Sequence, residues 1–365
     1  MKHKYDDKFV LEEYCMPSNE KNHDESCDHT NLSVPTSVPV PYPVGDESLL
    51  QKGDLRTSTH RLRCKLIPPK RIALCGGGMR AIAHIGAMKA LEEEGLLRCV
   101  KEVIGISAGS LFGLLYVLGY TLVEIEKLAL HLDFNCLFTA DPEALFQFSL
   151  TYGIDSGQSL TKLLHSILKQ KGFSPTCTFE ELFKKTGMRF KCFATVLKTS
   201  QVKEFSLEKT PSIPVALACR ASMSLPIIYS PVKDPLTGHF LVDGSVLHNI
   251  PIVHLPESEI QHTLTIFFQK VPYQGKETEI EDVIQMVQHL YDTSTRMRNK
   301  NVLEKYKDKI ICIPIETHDE KSIGVLSFNA DLENKKQLIE FARTVTMKFL
   351  TKQQPLTLLR RYSCS

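Results

Sequence analysis

The chain has 365 residues, of which 42% are hydrophobic and 24% charged, as in an ordinary globular protein with enough apolar material for a sizeable core. Its formal net charge of +2 gives no overall positive field that would indicate a nucleic-acid partner. The 11 cysteines are scattered without a CxxC pair, which argues against a disulfide framework or a zinc site and favours free thiols in a reducing compartment.

Residues 1–66 are predicted to form a disordered tail. Charged and polar residues dominate this segment, and the stretch SVPTSVPVPYPVG (33–45) has a proline at every second to fourth position. Such a segment cannot bury enough surface to fold alone, and a plain flexible extension is favoured over an arm that binds a protein partner. The N-terminus lacks the apolar segment of a secretory signal, so we expect a cytoplasmic protein.

A strand–helix–strand–helix order follows the tail. The run KRIALCG (70–76) predicts a buried strand, and the pattern from Met79 to Glu94 predicts a helix that stops at Gly95. A second buried strand, KEVIGIS (101–107), precedes an apolar helix, SLFGLLYVLGY (110–120). This order is typical of a right-handed βαβ unit with parallel strands.

One uncharged stretch, Val103–Val123, is about as long as a membrane span. Its glycines and hydroxyl groups instead favour a strand, a sharp turn and a buried helix. We therefore expect no transmembrane segment.

The remaining pattern extends the same domain. It predicts a mostly helical stretch over 122–185 with a helix closed by Gly172, paired strands over 188–206, strands over 239–245, 262–272 and 309–315, and helices over 281–306 and 333–353. These elements fit one α/β domain over 67–353, with a mainly parallel central sheet flanked by helices, followed by a short tail at 354–365.

A GxSxG turn joins the second strand to the apolar helix, with Ser107 at its centre between Gly105 and Gly109. The glycines matter because the central residue occupies a strained turn in which its neighbours can have no bulk. Such a turn presents the serine oxygen above the end of the sheet, where the helix N-terminus adds its dipole. This context favours a nucleophilic serine over a turn needed only for packing.

The first strand ends, one βαβ unit before Ser107, in three glycines: Gly76, Gly77 and Gly78. The two turns are expected at the same edge of the sheet, where converging backbone N–H groups would hold the oxyanion of a tetrahedral intermediate. Arg80 either adds positive charge there or ties the loop to the fold. The spacing Gly76-x-Gly78-x-x-Ala81 also fits a dinucleotide fingerprint, but the next strand ends in GISAG instead of the acidic residue that would bind the ribose.

A proton acceptor for the serine is predicted at Asp243, which ends an apolar strand and precedes Gly244. Partial burial would raise the pKa of this carboxyl group and suit it to take a proton, whereas the alternative is a plain Asp-Gly turn. A Ser-His-Asp triad would instead need one of four histidines: His84, His239, His248 or His254. A structural or solvent-facing role is favoured for each of these histidines.

Four segments share a specific combination of motifs: CGGGMRAIAHIGAMKALEEEG (75–95), GISAGS (105–110), ACRASMSLPIIYSPV (218–232) and LVDGSVLHNIP (241–251). The combination resembles the patatin-like phospholipases, which are lipid acyl hydrolases with a Ser-Asp dyad. The matching features are a GGGxR oxyanion segment, a nucleophile turn, the segment leading to the second catalytic residue, and a DG-[GA]-x-x-x-N-x-P block. The resemblance covers about Pro68 to Pro251.

The resemblance implies Ser107 as nucleophile and Asp243 as its base, with no catalytic histidine and no metal or other cofactor. It also implies an oxyanion hole formed by four residues: Gly76, Gly77, Gly78 and Arg80.

Three positions depart from the family pattern. Cys75 stands where many members have Asp, Ala81 where a glycine is usual, and Ser245 where Gly or Ala follows the Asp-Gly pair. Ser245 is expected to change the backbone beside the base and to reduce activity. For Cys75, an inert buried thiol is favoured over an oxidation-sensitive one.

We therefore expect a phospholipase A or lysophospholipase that acts on membrane lipid at an interface, with peripheral membrane association and without a nucleic-acid partner. Neutral glycerides are a further substrate class. EALFQFSLTYG (143–153) either covers the mouth of the site and meets the membrane or forms an interior helix. The alternatives are a soluble Ser-His-Asp esterase and a catalytically inactive lipid-binding relative whose Pro-rich tail binds a protein partner.

Overall fold

The computed structural model of the protein describes residues 68–132, 134–137, 148–271, 283–316 and 331–352. The predicted tails at 1–66 and 354–365 lie outside these residues, so the domain boundaries at 67 and 353 stay predictions.

The described strands are, in chain order, β1 (Arg71–Leu74), β2 (Glu102–Ile106), β3 (Gly153–Asp155), β4 (Arg189–Val196), β5 (Gln201–Ser206), β6 (Ile227–Tyr229), β7 (Val232–Lys233), β8 (Phe240–Asp243), β9 (Thr263–Val271) and β10 (Ile310–Glu316). Eight of them form the central sheet in the order β10-β9-β1-β2-β4-β8-β7, with β5 paired to β4. The five strands from β10 to β4 are parallel to their neighbours. β5 and β8 run antiparallel to β4, and β3 and β6 form a separate parallel pair.

The described α-helices are, in chain order, α1 (Ala83–Glu93), α2 (Ala108–Val117), α3 (Leu122–His131), α4 (Gln158–Gln170), α5 (Phe179–Thr186), α6 (Val215–Ser222), α7 (Glu257–Ile260), α8 (Val283–Lys305) and α9 (Leu332–Lys352). These helices flank the sheet. The α1–α9 contact is so close that a Cβ atom at Gly86 would lie 1.8 Å from the carbonyl oxygen of Ile339. The predicted α/β fold with a mainly parallel sheet is confirmed.

The predicted βαβ unit is confirmed, because β1 and β2 are parallel neighbours on either side of α1 in the chain. The helix predicted from Met79 begins differently: Gly78–Ile82 forms a 3-10 stretch, and the α-helix starts only at Ala83. The chain leaves the glycines in a tight turn, in which the Arg80 N–H donates to the Gly77 carbonyl at 3.1 Å.

Val103–Val123 folds as β2, α2 and the start of α3. Across the ranges described above, no helix has both the length and the apolar character of a membrane span.

The pairing register of β4 brings the ends of β2 and β8 together. β2 ends with Ile106 opposite Phe193, and β8 ends with Asp243 opposite Ala194, the next residue of β4. Because β5 pairs along both of these segments, β2 and β8 must lie on the other side of β4. The two strands run in opposite directions and meet end to end, which brings the residue after Ile106 beside Asp243.

Candidate active site

Ser107 occupies the strained turn that the GxSxG pattern predicts. Its φ is 52° and its ψ is −131°, a conformation that L-residues rarely adopt and that costs on the order of 1–3 kcal/mol. Close packing of the neighbouring glycines holds the turn. A Cβ atom would lie 2.4 Å from the Ser110 Cα at Gly105, 2.5 Å from the Leu74 carbonyl oxygen at Gly109, and 2.3 Å from the Phe193 carbonyl oxygen at Gly244.

The side chains of Ser107 and Asp243 are in direct contact. The Ser107 hydroxyl donates a hydrogen bond to Asp243 Oδ2 at 2.6 Å. Ser245 donates to the other carboxylate oxygen, Oδ1, through its N–H at 2.9 Å and also through its hydroxyl. Ser245 is thus a hydrogen-bond donor to the carboxylate, a contact that the sequence did not predict.

The Asp243 carboxyl group is fully buried, with 0% of the residue exposed. Burial raises its pKa from 3.8 to about 6, because the charged form loses solvation, while the hydrogen bonds from Ser107 and Ser245 oppose the shift. At neutral pH the group is therefore mostly an ionised acceptor whose proton affinity is much higher than that of an ordinary aspartate. The carboxyl group is thus more deeply buried than the partial burial expected from the sequence, and its pKa shifts in the expected direction.

Asn249 clamps the first glycine of the triple-glycine turn. The Gly76 N–H donates to Asn249 Oδ1 at 2.7 Å, and Asn249 Nδ2 donates to the Gly76 carbonyl at 3.0 Å. Gly76 also lies directly against the turn at Ser107, since a Cβ atom there would lie 2.8 Å from the Ser107 Cβ. This corrects the expected role of Gly76, because its amide already has an acceptor.

The other two glycines keep their amides available. In the part of the chain that the structure describes, the N–H groups of Gly77 and Gly78 form no hydrogen bond. Arg80 follows them and is 3% exposed. Burial lowers the pKa of its guanidinium to about 10, so the group still carries its positive charge at neutral pH.

Ser222, the last residue of α6, holds the backbone of the turn at Ser107. Its hydroxyl accepts a hydrogen bond from the Ser107 N–H at 2.9 Å and donates one to the Phe193 carbonyl at 2.7 Å. Sequence reasoning singled out the surrounding segment without assigning this role to Ser222. Asn249 likewise lies in a family motif, and the sequence alone did not indicate its clamp on Gly76.

The histidines lie outside the Ser107–Asp243 contact. Among the described residues, the Asp243 carboxylate accepts hydrogen bonds from Ser107 and Ser245 and from no histidine. His84 is buried with its Nε2 atom 2.9 Å from the Cys75 carbonyl, and burial lowers its pKa to about 4. His254 packs against the Phe193 ring at 4.7 Å, and burial also lowers its pKa to about 4.

The other two candidates, His248 and His239, are partly buried. His248 lies with its ring 5.6 Å from that of His254, and burial and the nearby Arg298 lower its pKa. His239 lies in the turn between β7 and β8.

The Cys75 thiol beside the glycines is fully buried, and burial raises its pKa well above the usual value. A thiol in that state is un-ionised at neutral pH and a poor nucleophile, which supports the inert interpretation.

The amino-acid sequence also resembles those of known proteins. The model of the patatin-like phospholipase family matches residues 72–255. The uncharacterized protein R571 of Acanthamoeba polyphaga mimivirus is 26% identical over 278 residues, which cover 74% of this chain and 90% of that protein. The probable lipid hydrolase 463L of Invertebrate iridescent virus 6 is 31% identical over 185 residues, which cover 50% of this chain and 62% of that protein.

A solved structure supports the fold. VipD from Legionella pneumophila superimposes with a TM-score of 0.53 at 17% identity, over 79% of this chain and 67% of that one. At this identity the likeness concerns the fold alone.

Proposed function

The chain belongs to the patatin-like phospholipase family, and from this membership we propose that it is a lipid acyl hydrolase that uses Ser107 and Asp243 as a catalytic dyad. The observation that carries the proposal is the 2.6 Å hydrogen bond from the Ser107 hydroxyl to the buried Asp243 carboxylate. A general base must reach the proton that it removes, and this carboxylate already accepts it.

In the first step Asp243 takes the hydroxyl proton while Ser107 Oγ attacks the carbonyl carbon of a fatty-acyl ester. The carbonyl oxygen becomes an oxyanion in a tetrahedral intermediate. Collapse of this intermediate forms an acyl-serine, and Asp243 passes the proton to the leaving alcohol oxygen. In the second step Asp243 takes a proton from a water molecule as the water oxygen attacks the acyl-serine. Asp243 then returns this proton to Ser107 Oγ as the ester bond breaks, which releases the fatty acid and regenerates the dyad.

The oxyanion is assigned to the amides of Gly77 and Gly78, which have no other acceptor in the described part of the chain. One such donor is typically worth about 3 kcal/mol in the transition state. Gly76 contributes in another way: it permits the close approach of the two turns, and its clamp to Asn249 holds the bend in place. Arg80 comes two residues after Gly78 in the chain, and its guanidinium is buried and positively charged. This charge would stabilise the negative charge of the oxyanion.

The substrate class follows from family and site together. A patatin-like phospholipase domain and a relative named as a probable lipid hydrolase favour phospholipid or lysophospholipid, with neutral glycerides as the rival class. Such substrates lie in a lipid surface, so peripheral membrane association belongs to the same proposal. The proposed steps use only protein side chains and water, and activity should survive metal chelators.

The direct test is fatty-acid release from mixed phospholipid vesicles by the purified protein. We expect release by the wild type and its loss in Ser107→Ala and Asp243→Asn. Asp308→Asn is the matched control, because Asp308 is exposed and precedes β10 at the opposite edge of the sheet. Equal fatty-acid release by the wild type and Ser107→Ala would contradict the proposal. A folded wild type that releases no fatty acid would also contradict it and would favour a catalytically inactive lipid-binding protein.

A further inference from the structure

Four large hydrophobic side chains are exposed near the same edge of the sheet as the dyad. They are Leu150 (78% exposed), Tyr152 (52%), Leu197 (50%) and Leu236 (62%). These residues come from three segments, namely the helical turn before β3, the β4–β5 turn and the β7–β8 turn. A contiguous exposed apolar area that draws on separate segments marks an interaction surface more often than a scattered exposed leucine does.

Phe240, the first residue of β8, joins the three segments. Its ring contacts the Tyr152 ring edge-on with centroids 5.7 Å apart, and its carbonyl accepts a hydrogen bond from the Leu197 N–H at 3.0 Å. It also ends the turn that carries Leu236. We call these five residues the apolar patch: Leu150, Tyr152, Leu197, Leu236 and Phe240.

The patch lies farther out from the sheet than the dyad does. β8 runs from Phe240 inward to Asp243, antiparallel to β4. Three residue steps along a strand span roughly 10 Å, so Phe240 lies about that far beyond Asp243 in the direction in which β2 and β4 point. A surface in contact with the patch would therefore be within the reach of one lipid molecule from Ser107.

The charges around the patch are positive. Lys198 and Lys233 are exposed, and the Lys233 ammonium lies 5.7 Å from the centre of the Phe240 ring. Neither lysine forms a salt bridge with another described residue. The acidic residue of the β7–β8 turn, Asp234, is buried and paired with Lys203 at 3.0 Å, so it does not offset the two exposed lysines.

We propose that the apolar patch docks the protein on the surface of a bilayer that contains anionic phospholipid. The apolar side chains enter the interface, and Lys198 and Lys233 lie at the level of the anionic headgroups, where each lysine contributes about a fivefold gain in binding. The inference rests on the proposed function, since it explains how a dyad below a sheet edge reaches an ester in a lipid surface.

The test measures vesicle binding in a Ser107→Ala background, so that the proposed hydrolysis cannot consume the vesicles. Vesicles of phosphatidylcholine with about 30% phosphatidylserine provide the anionic surface. Leu197→Ser combined with Leu236→Ser is expected to lower the partition coefficient about tenfold or more. Val123→Ser is the matched control: Val123 is 69% exposed, and it lies in the first turn of α3 at the opposite edge of the sheet, because α2 leads away from Ser107.

The lysines add a second arm to the experiment. Lys198→Gln combined with Lys233→Gln should weaken binding to anionic vesicles by about tenfold or more and leave binding to pure phosphatidylcholine vesicles unchanged. Thermal unfolding of each variant verifies the fold. The proposal is overturned if the leucine variants bind as tightly as Val123→Ser, or if they change the oligomeric state and not vesicle binding, which would make the patch a contact between copies.

Fatty-acid release by the protein with an intact Ser107 separates this proposal from the proposed function. If the wild type hydrolyses lipid and the leucine variants bind vesicles normally, the docking proposal is wrong and the hydrolase proposal is supported. If the leucine substitutions weaken vesicle binding but the wild type releases no fatty acid, the hydrolase proposal is wrong and the docking proposal is supported.

Discussion

Asn249 holds the backbone of Gly76 at both its polar groups, accepting from the N–H at 2.7 Å and donating to the carbonyl at 3.0 Å. Gly76 in turn lies against Ser107, so a Cβ atom there would be 2.8 Å from the serine Cβ. One side chain thus ties the triple-glycine bend to the segment that follows Asp243. We therefore expect this clamp to fix the relative positions of the proposed base, the proposed nucleophile and the proposed oxyanion donors.

Replacing Asn249 with alanine should therefore lower kcat by about 100-fold, the typical cost of a displacement near 1 Å at a reacting centre. The measurement is fatty-acid release under saturating substrate, with thermal unfolding to verify the fold. Asn301→Ala in α8 is the matched control, because Asn301 is exposed. An unchanged kcat in a folded Asn249→Ala protein would show that the clamp does not position the site.

The acid limb of the pH profile should report the Asp243 carboxyl group. Burial raises its pKa to about 6, and only the ionised form can take the Ser107 proton. The value of kcat/KM should hence be constant above that pKa and fall about tenfold per pH unit below it. A profile that stays flat down to pH values near 4, the ordinary range of an aspartate, would contradict the assignment.

Ser245→Ala provides a second test of the pKa of the Asp243 carboxyl group. The Ser245 hydroxyl donates to Asp243 Oδ1 and thereby lowers the carboxyl pKa, so its removal should move the acid limb to higher pH. Ser174→Ala, a change at an exposed serine, should leave the limb in place. A shift to lower pH would mean that Ser245 does not stabilise the carboxylate.

The histidines should be dispensable for turnover. Because Ser107 donates directly to Asp243, His248→Gln and His254→Gln should each retain kcat within about threefold when rates are corrected for the folded fraction. Steady-state hydrolysis of a short-chain ester provides the measurement. A loss on the order of 1,000-fold in either variant is what a Ser-His-Asp triad predicts, and it would replace the dyad.

Lys335 stabilises the fold away from the site. Its buried ammonium donates to three carbonyls at the end of α3, those of Ala129 (3.2 Å), Leu130 (3.2 Å) and Leu132 (2.9 Å). Lys335→Met should lower the free energy of unfolding by roughly 2–3 kcal/mol, because these carbonyls lose a charged donor. Urea unfolding measures the change, and Lys336→Met at the exposed neighbouring position should alter it by less than about 0.5 kcal/mol.

Local patterns predicted much of the fold and the strained turn at Ser107. The glycines beside Ser107 and the apolar runs around them specify the strand, the strained turn and the helix within a few residues. The change from a 3-10 stretch to an α-helix at Ala83 was missed, because both conformations suit the same apolar spacing. The contact of Ser107 with Asp243 depends on the long-range register of β4, which only the combination of family motifs indicated.

The hydrogen bonds that Ser222 and Ser245 form around Ser107 and Asp243 could not be predicted either, because they also depend on tertiary structure. Ser222 and Ser224 are two residues apart in one segment, yet only the first accepts from the Ser107 N–H, while the second accepts from Arg220 at 2.6 Å. Which serine faces the turn is decided by the end of α6 and not by the local pattern. Ser245 was expected to change the backbone beside the base, which stays a prediction. Its hydroxyl contact with the carboxylate was not foreseen; it arises because a 3-10 turn begins directly after Asp243.

The most direct measurement is reaction of the purified protein with a fluorophosphonate probe, followed by peptide mass spectrometry. The dyad predicts one phosphonylated residue, Ser107, and labelling slowed about 100-fold or more in Asp243→Asn, because the nucleophile loses its base. The absence of labelling in the folded wild type, a label on another residue, or an equal rate in Asp243→Asn would contradict it.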